Sequence, residues 1–168
     1  MADYTQSVTQ TLLAHQEITH PGKVVGAAIV CAGWLSAEIT GWLANIEITA
    51  NATGVAFIIQ GSIETAGNDW FDLVRFVGST TAAETEPLSD VGGEPQGETV
   101  IAVANTTNLV VGDVIYIRDD DLLAGSEWAE IVAVATNVSV TLMDGLAGAK
   151  VQNDDIFDQA QKLTCLVL

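Results

Sequence analysis

Between residues 98 and 146 the chain alternates short apolar runs with polar turns, and this stretch predicts the architecture. The β-rich runs are residues 99–104, 114–118, 128–136 and 138–142. Asn105 to Asn108, Gly112-Asp113, Asp119 to Ser126 and Asn137 separate them. Val114, Ile115, Tyr116 and Ile117 are β-branched or aromatic side chains that suit a pleated, partly buried surface. Strands this short, at this spacing and joined by polar turns, predict an all-β protein: an antiparallel β-sandwich or barrel, with a jelly-roll-like arrangement as one form.

Upstream the pattern is looser. Residues 1–22 are polar with no sustained period and end at His20-Pro21-Gly22, which predicts an extended N-terminal arm. Residues 23–34 (KVVGAAIVCAGW) form a near-continuous apolar run. Such a run fits a strand buried on both faces; pattern alone does not separate it from a buried helix, and the neighbouring β signals favour the strand. Ile46 and Ile48 alternate with Asn45, Glu47 and Thr49, and a Gly-containing turn leads to residues 55–62, so residues 46–62 read as a hairpin. Trp70 to Val77 is apolar on both faces and reads as a central strand, with Arg75 expected to pair with a carboxylate.

Residues 78–97 hold prolines, glycines and acids without period and read as a loop or linker. Near the end, residues 156–161 suggest one helical turn and residues 162–168 a final apolar strand that has to be covered. The expected organisation is therefore an arm (1–22), an N-terminal β half (23–77), a linker (78–97) and a C-terminal β half (98–168). The halves form one compact domain or two small lobes.

Charge narrows the functional classes. Five basic residues against 22 acidic ones leave a net charge of −17. Binding DNA or RNA needs a basic footprint to displace counterions from phosphate, so nucleic acid is excluded as a partner. A chain both this acidic and 49% hydrophobic points to surface hidden against copies of itself or another protein. No apolar run reaches membrane-spanning length, and the N-terminus lacks the charged and apolar regions of a signal peptide. Cys31 and Cys165 sit in apolar runs and read as buried thiols, a disulfide between them being the alternative.

Catalytic and metal chemistry finds little support. The two histidines, His15 and His20, lie on the arm without further ligands. No Ser-His-Asp or Cys-His constellation and no Gly-rich phosphate loop is legible, so neither an enzyme nor a cofactor is expected. Asp119, Asp120 and Asp121 are the densest carboxylates in ordered-looking sequence, but they lack the spacing of a calcium loop and read as a solvated acidic loop. Asn153, Asp154, Asp155 and Asp158 receive the same reading. Trp34, Trp42, Trp70 and Trp128 are read as core, with a sugar-binding platform as the alternative.

Residues 46–77 and 98–146 resemble the virion proteins of tailed bacteriophages. The resemblance rests on Gln60-Gly61-Ser62 before a strand led by Trp70, on Gly112-Asp113-Val114-Ile115-Tyr116, and on Ser126-Glu127-Trp128. It implies a non-enzymatic head decoration or cement protein on the capsid surface, made in the host cytoplasm. Its partners would be copies of itself, most plausibly as a trimer, and a major capsid protein. The partner-binding residues implied are Asp3, Tyr4, Leu12, Leu13, His15, Ile18 and His20 of the arm, with Leu166 and Leu168 of the last strand. A tail-tube or head–tail connector subunit is the nearest alternative, and a carbohydrate-binding β module is the alternative of another class.

Overall fold

The computed structural model describes Thr11 and residues 25–28, 37–44, 56–63, 69–77, 85–119 and 123–167. The chain divides into two compact units, Met1–Ser36 and Ala37–Leu168. Of the first unit, only Thr11 and residues 25–28 are described. There the apolar run starting at Lys23 departs from the expected strand: residues 25–28 are exposed and outside regular structure, with Val25 78% exposed.

The second unit is all-β, as the alternation predicts. Its strands are β1 (Ala37–Leu43), β2 (Ala56–Gly61), β3 (Phe71–Val77), β4 (Thr85–Pro87), β5 (Val100–Ala102), β6 (Val114–Arg118), β7 (Glu127–Ala135), β8 (Ser139–Leu142) and β9 (Asp155–Val167). A seven-stranded sheet runs in the order β1-β9-β6-β7-β8-β5, with β4 also paired to β9. All its pairings are antiparallel.

This sheet curls back on itself. Leu88, just past β4, bridges Val103, just past β5, and the Ser89 amide donates to the Ala102 carbonyl at 2.9 Å. On the other side the Leu88 amide donates to Asp154 O at 2.9 Å, and Leu88 O accepts from the Asn153 amide at 3.0 Å. Strands β4, β9, β6, β7, β8 and β5 thus close into a small barrel. Closure satisfies the backbone groups that an open edge would leave unpaired.

Side-chain alternation fills this barrel. Ile115 and Ile117 of β6, Ile131 of β7, Val140 and Leu142 of β8, Ile101 of β5 and Ile156 of β9 are at most 2% exposed and pack in one cluster with Leu88, Val103, Leu109 and Leu146. A register shift in β7 between Ile131 and Ala133 places Val132 outside, 41% exposed, and lets Val134 pack against the core. Each fully buried Ile, Leu or Val contributes about 1.5–3 kcal/mol before the entropy of ordering it is charged.

The turns behave as their residues dictate. Asn137 takes a left-handed φ of 54° between β7 and β8, and its amide donates to Thr106 Oγ1 at 2.9 Å. Asn105 Oδ1 accepts from the Thr107 amide at 3.1 Å, while its Nδ2 donates to Glu86 Oε1 at 2.7 Å. Gly112, at φ 94°, opens β6, and the Val110 amide donates to Asp113 Oδ2 at 2.9 Å.

Two expectations give way here. The linker read over residues 78–97 contains β4 and the buried Leu88 and Glu94, so from Thr85 onward it belongs to the barrel. Period and composition missed this because β4 is three residues long and ends in proline. The helical turn read at residues 156–161 is instead part of β9, one continuous strand of 13 residues. Its polar residues Asp158, Gln159 and Gln161 interrupt the apolar pattern but not the backbone ladder.

β9 outgrows the barrel. Its first half pairs with β6 and β4, and Gln161 to Val167 pair with β1. In this extension Glu38, Thr40 and Trp42 of β1 and Lys162, Thr164 and Leu166 of β9 are exposed, while Ile39, Leu43, Gln161, Leu163 and Cys165 are half-buried. Cys165 is a free thiol; Cys31 lies outside the described residues. β2 and β3 form a separate two-stranded ribbon. Gly41 lies under the Phe57 ring, where an added Cβ would meet it at 3.5 Å, so the ribbon lies against β1 at that point.

Candidate assembly surface

The buried charges hold the barrel's loops together. Lys150 is 2% exposed; its ammonium meets Glu127 Oε1 at 2.5 Å and donates to Gly125 O at 2.8 Å and Gly148 O at 3.3 Å. Glu127 Oε2 also accepts from the Ala147 amide at 2.7 Å. The pair therefore pins the loop before Lys150 onto the 3₁₀ turn Leu123–Gly125. Glu94, 5% exposed, accepts from the Ala102 amide at 2.6 Å. These contacts tie the loops around Glu94, Gly125 and Gly148 to strands β5 and β7.

The acidic clusters are less solvated than their composition suggested. Asp154 is 1% exposed, and its Oδ2 accepts from the Val151 amide at 2.9 Å across a turn in which Asn153 has a φ of 75°. Asp158 is 8% exposed and Asp155 half-buried. The solvated-loop reading is thus corrected for the three acids: Asp154 is buried at the turn, and β9 carries Asp155 and Asp158 into the wall of the barrel, while Asn153 stays exposed. Asp119 is half-buried, its amide donates to Ser126 Oγ at 2.9 Å, and its carboxylate lies directly against Gly125. Asp120 and Asp121 lie outside the described residues, among which no group of three or more metal-ligating side chains occurs.

The described tryptophans, Trp42, Trp70 and Trp128, do not enter the barrel core; Trp34 lies outside the described residues. Tyr116, pointing away from Ile115 and Ile117, sits 4.6 Å from Trp128 and 6.2 Å from Phe157 by ring centroids. Trp42 of β1 stacks on Trp128 at 6.1 Å and carries Lys162 Nζ at 5.1 Å. With Ala160, Ala44 and Val114 this aromatic seam seals β1 onto the outside of the barrel wall. It also explains why all of Ile115, Tyr116 and Ile117 are buried: one face meets the core and the other meets the seam. Trp42 is 39% and Trp70 48% exposed, so the expectation of core tryptophans fails for both. The Trp42 ring is already engaged by Trp128 and Lys162, which leaves it poorly suited to stack on a sugar.

The ribbon stands apart. Ala56–Val77 and Ile58–Arg75 pair on one face, and past the register shift Gly61 pairs with Phe71 on the other. The register shift at Ile59/Gln60 leaves Leu73 opposite the bulge, and a Cβ on Gly61 would lie 3.1 Å from Leu73 Cδ1. Ile58, Phe71, Leu73 and Val77 are 38%, 47%, 42% and 61% exposed. The covered residues of the ribbon are Ile59, 7% exposed, and the half-buried Phe57, Val74 and Phe76. The register shift interrupts the expected alternation of β3 at Leu73, and the strand is not central. Its described partner is β2 alone, and Phe71, Leu73, Arg75 and Val77 are exposed.

Of the residues implied as partner-binding, Leu166 is described: it is 62% exposed and pairs with Glu38 near the end of the β1–β9 ladder. Asp3, Tyr4, Leu12, Leu13, His15, Ile18, His20 and Leu168 lie outside the described residues. Sequence reasoning missed the ribbon face because apolar residues on both sides of a strand were taken to mean burial on both sides. The sparse polar residues around β2 and the short run of β3 were the available signal that few strands would cover it. No family model, curated protein or solved structure matches the chain.

Proposed function

We propose that this protein is a non-enzymatic structural subunit of a tailed-phage virion, binding copies of itself and a major capsid protein as a head decoration. The observation that carries the reading is the β2–β3 ribbon, on which the apolar side chains Ile58, Phe71, Leu73 and Val77 are exposed. An exposed apolar patch on a folded domain marks a place where another surface packs. The closed barrel supplies a rigid base, and the β1–β9 extension and ribbon project apolar surface from it. Burying such surface across a junction stabilises the assembled state by mass action.

Light scattering on the purified chain, joined to negative-stain microscopy, tests the reading. A small discrete oligomer, a trimer in the expected case, supports a decoration subunit. Leu73→Asp, which places an unpaired carboxylate in the patch, is expected to shift that oligomer to monomer at the same concentration. Extended tubes or large rings would move the role to the tail tube or the connector. A monomer at all concentrations would remove self-assembly from the account.

A further inference from the structure

Among the described residues, the basic side chains have unequal fates. Lys150 is buried on Glu127, and Arg118 is half-buried and engaged. Arg75 and Lys162 are the exposed ones, and both line a single open groove of about 570 Å³, walled by Val77, Val114 and Leu163. Asp113 also borders it, with its Oδ2 held by the Val110 amide at 2.9 Å. Lys162 Nζ also lies 5.1 Å from the Trp42 ring centroid.

We propose that this groove receives a carboxylate-bearing surface of a second copy of the chain; the inference rests on the self-assembly reading above. The argument is one of charge complementarity. Each copy carries −17, so two copies in contact bring acidic surfaces together. At touching distance the charges lie inside the screening length of roughly 8 Å at physiological salt. A carboxylate buried there without a counter-charge costs several kcal/mol or prevents the contact. The described surface offers its two exposed cations, Arg75 and Lys162, along this open groove. The acceptor is cationic and its occupant acidic, so the contact is between unlike patches. Head-to-tail contacts of that kind close into rings when the rotation permits, which suits a cyclic trimer.

The test is solution mass by light scattering at matched concentrations for wild type, Arg75→Gln, Lys162→Gln and a control, Gln152→Glu. Gln152 is exposed and outside the groove, and its substitution changes net charge by the same single unit. Far-UV circular dichroism verifies that each variant is folded. Arg75→Gln and Lys162→Gln are expected to weaken association about tenfold or more, Arg75→Lys to restore most of it, and Gln152→Glu to leave it unchanged. If the wild type is oligomeric and both groove variants keep its mass, the groove assignment fails while self-assembly stands. Equal weakening by Gln152→Glu would also overturn it, because net charge and not the groove would then govern association. A monomeric wild type would overturn the inference and the reading beneath it together.

Discussion

Single residues carry much of the barrel's loop architecture. Lys150 is the clearest case, because a buried ammonium is tolerated only with its charge and donors answered, and here Glu127, Gly125 O and Gly148 O answer them. Lys150→Met removes one partner and leaves Glu127 facing an apolar neighbour. Urea denaturation is expected to show a loss of about 3 kcal/mol or more. Gly93 offers a second test. Its φ is 74°, and a Cβ there would lie 2.6 Å from Lys150 O. Gly93→Ala should cost about 1–3 kcal/mol in the same measurement, from left-handed strain and the displaced carbonyl together. No loss for Gly93→Ala would mean that the turn relaxes freely. Neither residue was legible as important from the sequence, because each acts through a partner tens of positions away.

At the scale of elements, the sequence was most informative where local pattern and tertiary environment agree. β6 has the predicted bounds, and β7 and β8 begin within a residue of theirs, because β-branched alternation and Asn or Gly turns both point the same way. Elsewhere a non-local pairing decided the outcome. β4 exists because β9 and Leu88's bridge to Val103 give a three-residue segment a place to pair. β9 runs through Asp158 and Gln161 because β6, β4 and β1 pair along it in succession. Of the candidate surface, the strand β3 was readable, but the register shift at Leu73 and the strand's exposure were not, since composition reveals neither where a bulge falls nor how many neighbours a strand acquires. The aromatic seam makes an element-level prediction. Trp128→Ala should release β1 from the barrel wall, so amide exchange across residues 37–43 accelerates strongly while Ile115, Ile131 and Val140 stay protected. Uniform loss of protection would show that barrel and extension unfold as one unit.

For the whole molecule, the distribution of apolar surface and charge gives the account its direction. A closed barrel with a filled core holds itself together, whereas the ribbon and the β1–β9 extension expose Ile58, Phe71, Leu73, Val77 and Leu166. Evenly scattered apolar side chains would call for no explanation, but several gathered on one two-stranded ribbon do. The strongly acidic composition then restricts which surfaces can meet, so association of like copies has to be locally compensated. For the proposed virion role the most direct measurement is gold labelling of intact virions of a tailed phage whose genome carries this sequence, using antibody raised against the purified protein. The account predicts label spread over the head surface. Virions that carry no label, while the same antibody detects the free protein in infected cells, would contradict it.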